Sequence, residues 1–212
     1  MPHGFEPTSV IPIVTLERVE DAIPLAEALL EGGLGTIEIT LRTPASLAAI
    51  AAIAKALPEA RVGAGTVLRT ADITAARDAG ARFLVSPGLT ADLAAAGHAS
   101  GLPYLPGAVT PSEILVAREM NFTFLKFFPA RESGGPAMLR AYAAVFQGIV
   151  FCPTGGVTEE SAAEYLALPN VPLVGGTWVA NAEAIGSRDW RGITARAKRA
   201  AALGRNAAPR SE

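Results

Sequence analysis

The chain has 212 residues, of which 50% are apolar, and its formal net charge is only −2. A charge this small provides neither a basic surface for nucleic acid nor an acidic tail, so the composition predicts a small-molecule partner. No apolar stretch of about 18 residues occurs and no signal peptide is evident, so we expect a soluble cytoplasmic protein with no membrane partner. The single Cys152 excludes an internal disulfide and agrees with a reducing compartment. With only His3 and His98 as histidines, we expect no metal site.

Short apolar runs rich in branched residues alternate with segments of helical period along the chain. The apolar runs predict eight strands, at 10–16, 36–42, 61–67, 82–86, 103–108, 123–128, 149–153 and 171–175. A predicted helix follows each strand, at about 17–32, 44–57, 70–79, 90–99, 111–120, 135–146, 158–168 and 182–203. Several helices have a candidate capping residue at their start, such as Thr43, Thr110 and Thr158.

Eight strand-helix units of about 25 residues each predict a small (β/α)₈ TIM barrel. We expect this barrel to be a single domain at 10–204, preceded by an N-terminal extension at 1–9 and followed by a disordered tail at 205–212. An open doubly wound sheet is the competing architecture. It is disfavoured because no GxGxxG motif opens the first helix.

Lys126 is the only charged residue in the apolar run 122–129, which contains four phenylalanines. A lysine buried among aromatic rings tends to lose its proton, because desolvation disfavours the ammonium. A neutral amine is a nucleophile, and in enzymes it attacks carbonyl groups to give Schiff bases. Two alternatives remain open at this point: the side chain reaches solvent at the strand end, or it neutralises a buried carboxylate.

The second predicted strand alternates polar and branched apolar residues, so Glu38, Thr40 and Arg42 share one face. We expect that face to line the barrel interior, near the carboxyl ends of strands where barrels place catalytic groups. Glu38 and Arg42 lie about 13 Å apart along the strand, too far for a direct ion pair. Each therefore needs another partner or a ligand. An internal ion network with Lys126 is the alternative to a catalytic role.

Glycines accompany hydroxyl residues at the ends of three predicted strands. Gly65 precedes Thr66 in the third, Thr154-Gly155-Gly156 ends the seventh, and Gly176-Thr177 ends the eighth. Glycine lets a ligand or a neighbouring backbone approach closely, and barrels often bind phosphate with the loops after strands seven and eight. The alternatives are a bulge in the third strand and close packing of strand on helix in the other two.

Seven short motifs occur in order: EITLRT (38–43), VGAGTV (62–67), SPG (86–88), LPG (105–107), LKFFPA (125–130), FCPTGG (151–156) and VGGTW (174–178). Together they resemble the 2-keto-3-deoxy-6-phosphogluconate (KDPG) and 2-keto-4-hydroxyglutarate (KHG) aldolases, a family of class I aldolases, and the resemblance covers about residues 10–200. The resemblance implies a (β/α)₈ homotrimer that cleaves a phosphorylated keto-acid to pyruvate and glyceraldehyde 3-phosphate without metal or other cofactor.

The resemblance also implies roles for individual residues. Lys126 matches the Schiff-base lysine and Glu38 the general acid/base. Arg42 and Thr66 match the groups that hold the keto-acid end, and the phosphate end is matched by Thr154, Gly155, Gly156, Gly176 and Thr177. Thr177 stands where the family commonly has serine. Alternative activities are cleavage of 4-hydroxy-2-oxoglutarate or of the galactonate epimer, and a non-catalytic barrel that binds a phosphorylated ligand is a further alternative.

Overall fold

The computed structural model describes Phe5 and residues 8–203. Of the expected N-terminal extension, 1–9, only Phe5, Thr8 and Ser9 are described, and the expected tail, 205–212, lies outside the described residues. The described residues form an α/β fold in which parallel strands alternate with helices. None of their helices has the length and apolar character needed to cross a membrane.

Eight strands occur within residues 8–203: β1 (Val10–Val14), β2 (Thr36–Thr40), β3 (Arg61–Gly65), β4 (Leu84–Val85), β5 (Tyr104–Leu105), β6 (Phe124–Phe127), β7 (Val150–Pro153) and β8 (Val174–Gly176). Six of them form a sheet in the order β5-β4-β3-β2-β1-β8, and β6 pairs with β7. Single bridges join the two sheets, from Gly107 to Lys126 and from Thr154 to Gly175. The α/β class is confirmed, but continuous pairing extends over six strands where eight were expected. Pro106 and Pro153 adjoin these two seams and have no N–H to donate, which explains why the pairing there is reduced.

The helices are α1 (Ala22–Glu31), α2 (Ser46–Ala56), α3 (Thr70–Asp78), α4 (Ala91–Ser100), α5 (Pro111–Glu119), α6 (Gly135–Val145), α7 (Glu159–Leu166), α8 (Ala182–Gly186) and α9 (Trp190–Leu203). Thr110 and Thr158 cap α5 and α7 as expected, each accepting a hydrogen bond from a backbone N–H of the first turn. Thr43 does not cap α2, which begins three residues later at Ser46.

The last helix was predicted as one segment, and this prediction was wrong. Arg188 has a φ of 55°, a left-handed conformation that ends the helical path between α8 and α9. The Asp189 side chain then accepts a hydrogen bond from the Gly192 N–H at 2.9 Å, so it caps the start of α9. The predicted helix at 17–32 is likewise shorter, because a single 3-10 turn, Val19–Asp21, precedes α1.

Two apolar clusters lie on opposite faces of the strands. The larger one joins the strands to the helices and includes Ile37, Ile39 and Leu125. The smaller one lies on the other, inner face and consists of Phe5, Ile11, Phe83, Val85, Leu105, Phe124, Cys152 and Leu173. The Phe5 ring packs against Phe83 and Phe124, with centroid separations of 5.1 and 5.3 Å. Apolar rings therefore fill the inner face near the amino ends of the strands, which leaves the polar residues nearer the carboxyl ends.

Candidate active site

Lys126 and Glu38 form a buried ion pair on the inner face of the strands. Lys126 in β6 is 5% exposed and Glu38 in β2 is 3% exposed. The Lys126 Nζ lies 3.6 Å from the Glu38 Oε1. β2 and β6 belong to different sheets, so this ion pair connects the two sheets.

The burial and pairing of Lys126 decide between the alternatives that the sequence left open. A side chain only 5% exposed does not reach solvent, so the solvent-directed alternative is wrong. The lysine does approach a buried carboxylate, but the hydrogen-bonding capacity of that carboxylate is not fully used within the protein. Glu38 Oε1 is buried and has no hydrogen-bond partner among the described residues. A buried carboxylate oxygen without a hydrogen bond is costly, and the site can accept a donor from a ligand or a water.

Gly65 creates the space that the Glu38 carboxylate occupies. β2 and β3 pair in continuous register, with Glu38 opposite Gly63 and Thr40 opposite Gly65, so the third strand contains no bulge. A Cβ at Gly65 would overlap Oε1 of Glu38, and a Cβ at Gly63 would lie 2.5 Å from the Phe83 ring. Close approach explains both glycines, and the group that approaches Gly65 is the candidate catalytic carboxylate.

Backbone hydrogen bonds and an aromatic ring fix the position of Lys126. Its N–H donates to Pro106 O at 2.8 Å, and its carbonyl accepts from Ala108 N at 2.9 Å. The Phe128 ring centroid lies 5.1 Å from Nζ, within range of a cation–π contact when the amine is charged. Cys152 is the β-pairing partner of Lys126. Burial raises the pKa of Cys152 to about 12, so this neighbour remains an uncharged thiol near neutral pH.

Arg42 and Thr66 lie together just beyond the carboxyl ends of β2 and β3. The Arg42 Nε donates to the Thr66 Oγ1 at 3.1 Å. Arg42 is exposed, so it does not take part in the buried ion pair, and the three-residue ion network considered from the sequence is wrong. Thr66 has a φ of 58°. This backbone conformation is unusual for a β-branched residue and is often found at active sites.

Thr40, on the same face as Glu38, has a structural role. Its hydroxyl lies 2.8 Å from the Thr15 hydroxyl and 3.2 Å from the Val14 carbonyl, to which it donates. These bonds link β2 to β1. The Thr40 hydroxyl is therefore hydrogen-bonded within the protein, whereas Glu38 Oε1 has no hydrogen-bond partner among the described residues.

The loop after β7 has a backbone conformation that favours glycine. Gly155 and Gly156 have φ values of 93° and 69°. A Cβ at Gly155 would lie 3.0 Å from the Phe128 ring, the same ring that lies beside Lys126. Thr154 is buried, and its hydroxyl is 3.8 Å from the Cys152 sulfur. This loop therefore borders the Lys126 site.

The loop after β8 lies beside the Thr154 loop, because Thr154 and Gly175 form a bridge. Thr177 is exposed and follows the last residue of β8 directly. At Gly176, however, a Cβ would overlap the ring of Trp178. Packing against this indole is sufficient to explain Gly176, so its presence does not by itself indicate a ligand.

Sequence reasoning missed Arg131. This exposed arginine follows β6 by four residues, and a Cβ at Gly156 would lie 2.5 Å from the Arg131 Cβ. The signal available in the sequence was a basic residue in the loop directly after the Lys126 strand, a place where barrels position functional groups. No periodic pattern distinguishes such a loop arginine from a solvated one.

A lysine buried beside one carboxylate, near the carboxyl ends of parallel strands, is the arrangement of an enzyme that uses a lysine amine in catalysis. The sequence also matches the family model described as KDPG and KHG aldolase over residues 4–196. The chain therefore belongs to the KDPG and KHG aldolase family, as its motifs predicted.

Individual relatives agree with this assignment. The chain is 46% identical over 198 residues to the 2-dehydro-3-deoxy-phosphogluconate aldolase of Zymomonas mobilis, covering 93% of each chain. It is 42% identical over 191 residues to the KHG/KDPG aldolase of Escherichia coli, covering 90% of each. A crystal structure of KDPG aldolase from Legionella pneumophila, with pyruvate captured as a covalent carbinolamine, superposes with a TM-score of 0.91 at 41% identity, covering 93% of this chain and 96% of that one.

Proposed function

We propose that this protein is a class I aldolase that cleaves 2-keto-3-deoxy-6-phosphogluconate to pyruvate and glyceraldehyde 3-phosphate. The observation that carries the proposal is the buried pair of Lys126 and Glu38, whose Nζ and Oε1 atoms lie 3.6 Å apart. The Legionella pneumophila relative has been captured with pyruvate as a covalent carbinolamine, which is the adduct of an amine and a carbonyl carbon. In this chain Lys126 is the amine positioned for the same chemistry.

Lys126 reacts as the neutral amine. Its nitrogen attacks C2 of the keto-acid, and the resulting carbinolamine loses water to give an iminium ion. When the C3–C4 bond breaks, its electron pair moves into the iminium, and glyceraldehyde 3-phosphate leaves. The enamine that remains takes a proton at C3, and hydrolysis then releases pyruvate and regenerates the amine.

Glu38 moves the protons in this sequence. Its carboxylate, directly or through a water, takes the proton of the C4 hydroxyl during cleavage and assists the loss of water from the carbinolamine. Such general acid–base catalysis contributes about 10²–10⁴-fold in rate. The free hydrogen-bonding capacity of Glu38 Oε1 supports this role, since an acceptor already satisfied by the protein is a poorer base for substrate.

Two further groups hold the keto-acid. Arg42 binds the substrate carboxylate, because its exposed guanidinium offers two parallel N–H donors to a carboxylate. Thr66 supplies a hydroxyl at the same end and orients the Arg42 Nε. At the other end of the substrate, the backbone of Gly155 and Gly156, together with Gly176 and the hydroxyls of Thr154 and Thr177, accommodates the phosphate.

A non-catalytic barrel in which Lys126 only neutralises Glu38 is the alternative from another class. Burying an ion pair for stability alone is inefficient, because apolar replacements are often neutral or stabilising. The incomplete hydrogen bonding of Glu38 makes the structural explanation weaker still.

The architecture around the site is also part of the proposal. We infer that residues 10–204 form one domain and that its strands close into the (β/α)₈ barrel; the bridges at Gly107 and Thr154 support closure. A homotrimer in the cytoplasm remains our prediction from the family resemblance. Sedimentation equilibrium at several protein concentrations tests the trimer, and a monomer at all of them would contradict it.

Trapping with borohydride tests the chemistry directly. Reduction in the presence of pyruvate should attach one pyruvate-derived group per chain, at Lys126 and not at Lys55 or Lys198. Both of those lysines are exposed, on α2 and α9, away from the buried Glu38 carboxylate. Mass spectrometry of the digested protein locates the adduct. A label on either exposed lysine, or none on folded protein, would reject the proposed chemistry.

Cleavage of 4-hydroxy-2-oxoglutarate is the second candidate activity. The Escherichia coli relative is named for both activities. Both substrates share the pyruvate half that Lys126 and Glu38 contact, so both should form the same adduct. Comparing kcat/KM for the two substrates, and for the galactonate epimer, assigns the preferred one.

A further inference from the structure

Arg131 is attached to the proposed phosphate loop by both backbone and side-chain contacts. Its N–H donates to Gly155 O at 3.1 Å, and the preceding N–H, of Ala130, donates to Thr154 O at 2.7 Å. The arginine stem covers Gly156, since a Cβ there would lie 2.5 Å from its Cβ and 2.9 Å from its Cδ. The Arg131 side chain is therefore held against the loop that is proposed to bind the phosphate, and it lines the cleft beside Gly156.

Arg131 differs from the other arginines in the loops that follow strands. Arg18 pairs with Asp21 at 2.7 Å, Arg69 pairs with Asp72 at 3.0 Å, and Arg42 bonds to Thr66. Among the described residues, Arg131 has no carboxylate within the 4.0 Å of an ion pair. Its guanidinium is thus not engaged in a direct ion pair with any described carboxylate.

The cleft beside Arg131 needs a cation if an anion is to bind there. This cleft, of about 470 Å³, is lined by Arg131, Gly156, Thr158, Ser161, Glu164 and Tyr165 among others, and Arg131 is the only cation among its described lining residues. Glu164 faces the same cleft and Glu132 follows Arg131 in the chain, so both would repel a phosphate. Backbone amides and hydroxyls carry no formal charge, so they cannot neutralise a phosphate group, which carries about −1.5 to −2 at neutral pH.

We propose that Arg131 binds the phosphate of the substrate and makes this aldolase prefer phosphorylated keto-acids over unphosphorylated ones. The proposal rests on the proposed function and adds to it a specificity residue outside the glycine loops. A guanidinium matches phosphate geometry with two parallel N–H donors, and it neutralises charge that the loop amides leave uncompensated.

The test compares Arg131→Gln, Arg131→Lys and the control Arg140→Gln, which changes another exposed arginine, on α6. For each protein, kcat/KM is measured for 2-keto-3-deoxy-6-phosphogluconate and for 4-hydroxy-2-oxoglutarate. The ratio of the two values should fall about tenfold in Arg131→Gln, mainly through KM for the phosphorylated substrate, because one charge-assisted contact is lost. Arg131→Lys should recover part of the ratio, and Arg140→Gln should leave it unchanged.

Inhibition by inorganic phosphate supplies a second measurement that does not depend on the phosphorylated substrate. The inhibition constant against 4-hydroxy-2-oxoglutarate cleavage should rise about tenfold in Arg131→Gln, for the same lost contact. Sodium chloride should weaken phosphate inhibition of the parent more steeply than that of the variant, because salt screens an exposed charge.

The outcomes separate this inference from the proposed function. A ratio and an inhibition constant within twofold of the parent, or an equal loss on both substrates, would overturn the role of Arg131 and leave the aldolase assignment intact. A folded parent that cleaves neither substrate and forms no pyruvate adduct would overturn the proposed function, and this inference with it.

Discussion

The two ends of the candidate site are built in different ways. At the keto-acid end, Lys126 and Glu38 project from strands, are buried, and meet at 3.6 Å. At the phosphate end, the proposed contacts come from loops, with positive φ at Gly155 and Gly156 and exposed side chains at Arg131 and Thr177. A change in Lys126 or Glu38 should therefore abolish chemistry for every substrate. A change in Arg131 or Thr177 should alter which substrate is preferred.

The largest expected effect is at Lys126. Replacing it with methionine removes the nucleophile, so cleavage of both substrates should fall by at least about 10³-fold, because the covalent path is lost. The similar volume of methionine avoids a cavity. Turnover and borohydride trapping on the same preparation measure the effect.

The stability of this variant gives a second result from the same experiment. Lys126→Met leaves the buried Glu38 carboxylate without its ion pair, which costs about 3–5 kcal/mol when a buried pair is broken from one side. The double variant Lys126→Met/Glu38→Gln should recover part of the thermal midpoint. If the single variant is as stable as the parent, the ion pair is weaker than its geometry indicates.

Glu38→Gln should have the next largest effect. Glutamine keeps the shape and hydrogen-bonding capacity of the side chain but cannot accept or return a proton, so turnover should fall about 10²-fold or more. Thr40→Val is the matched control on the same strand face. It removes the hydrogen bonds to Thr15 and Val14, at a cost of about 1 kcal/mol in stability, and should leave the pH profile unchanged. Turnover of Glu38→Gln within a few-fold of the parent would assign the proton transfers to another group.

Gly65→Ala tests whether the position of Glu38 matters as well as its acidity. The added Cβ would overlap Glu38 Oε1, so the carboxylate must move, and a displacement of about 1 Å can reduce turnover up to about 10²-fold. Gly186→Ala is the control, since a Cβ there meets nothing within 4 Å. A crystal structure of Gly65→Ala, or its pH–rate profile, reports the displacement. Full activity would show that the carboxylate is not held in one position.

The burial of Lys126 and Glu38 was predictable from the sequence, because each is a charged residue among apolar neighbours in a predicted strand. What alternation could not provide was the pairing of Lys126 with Glu38. Their strands are distant in sequence and belong to different sheets, so only the folded arrangement brings them together. The same limit explains Thr40, which shares the predicted face of Glu38 but bonds to β1.

The phosphate end was less predictable for a physical reason. A glycine is required both where a ligand contacts the backbone and where a side chain packs on it, and the two uses give the same residue. Gly155 and Gly156 need positive φ, whereas Gly176 accommodates Trp178. An exposed loop arginine such as Arg131 carries no periodic signal. The break between α8 and α9 was also missed, because Asp189 caps α9 within a segment whose helical period looks continuous.

The smallest expected effects distinguish Gly176, the last residue of β8, from Thr177, the first residue of the loop that follows. Gly176→Ala forces a Cβ into the Trp178 ring, so the thermal midpoint and both activities should fall, with overpacking costing about 1–3 kcal/mol. If Gly176 also accommodates the phosphate, kcat/KM for the phosphorylated substrate should fall further than that for the unphosphorylated one. Thr177→Val removes only a hydroxyl from an exposed residue of nearly the same shape, so stability should be unchanged. If that hydroxyl binds phosphate, kcat/KM for the phosphorylated substrate should fall about three- to tenfold, as expected for one hydrogen bond to a charged group. The pyruvate adduct at Lys126 should still form in full, because it does not involve the phosphate end. Equal kcat/KM values for parent and Thr177→Val would remove Thr177 from the phosphate site and leave the loop after β7, with Arg131, as the region that binds the anion.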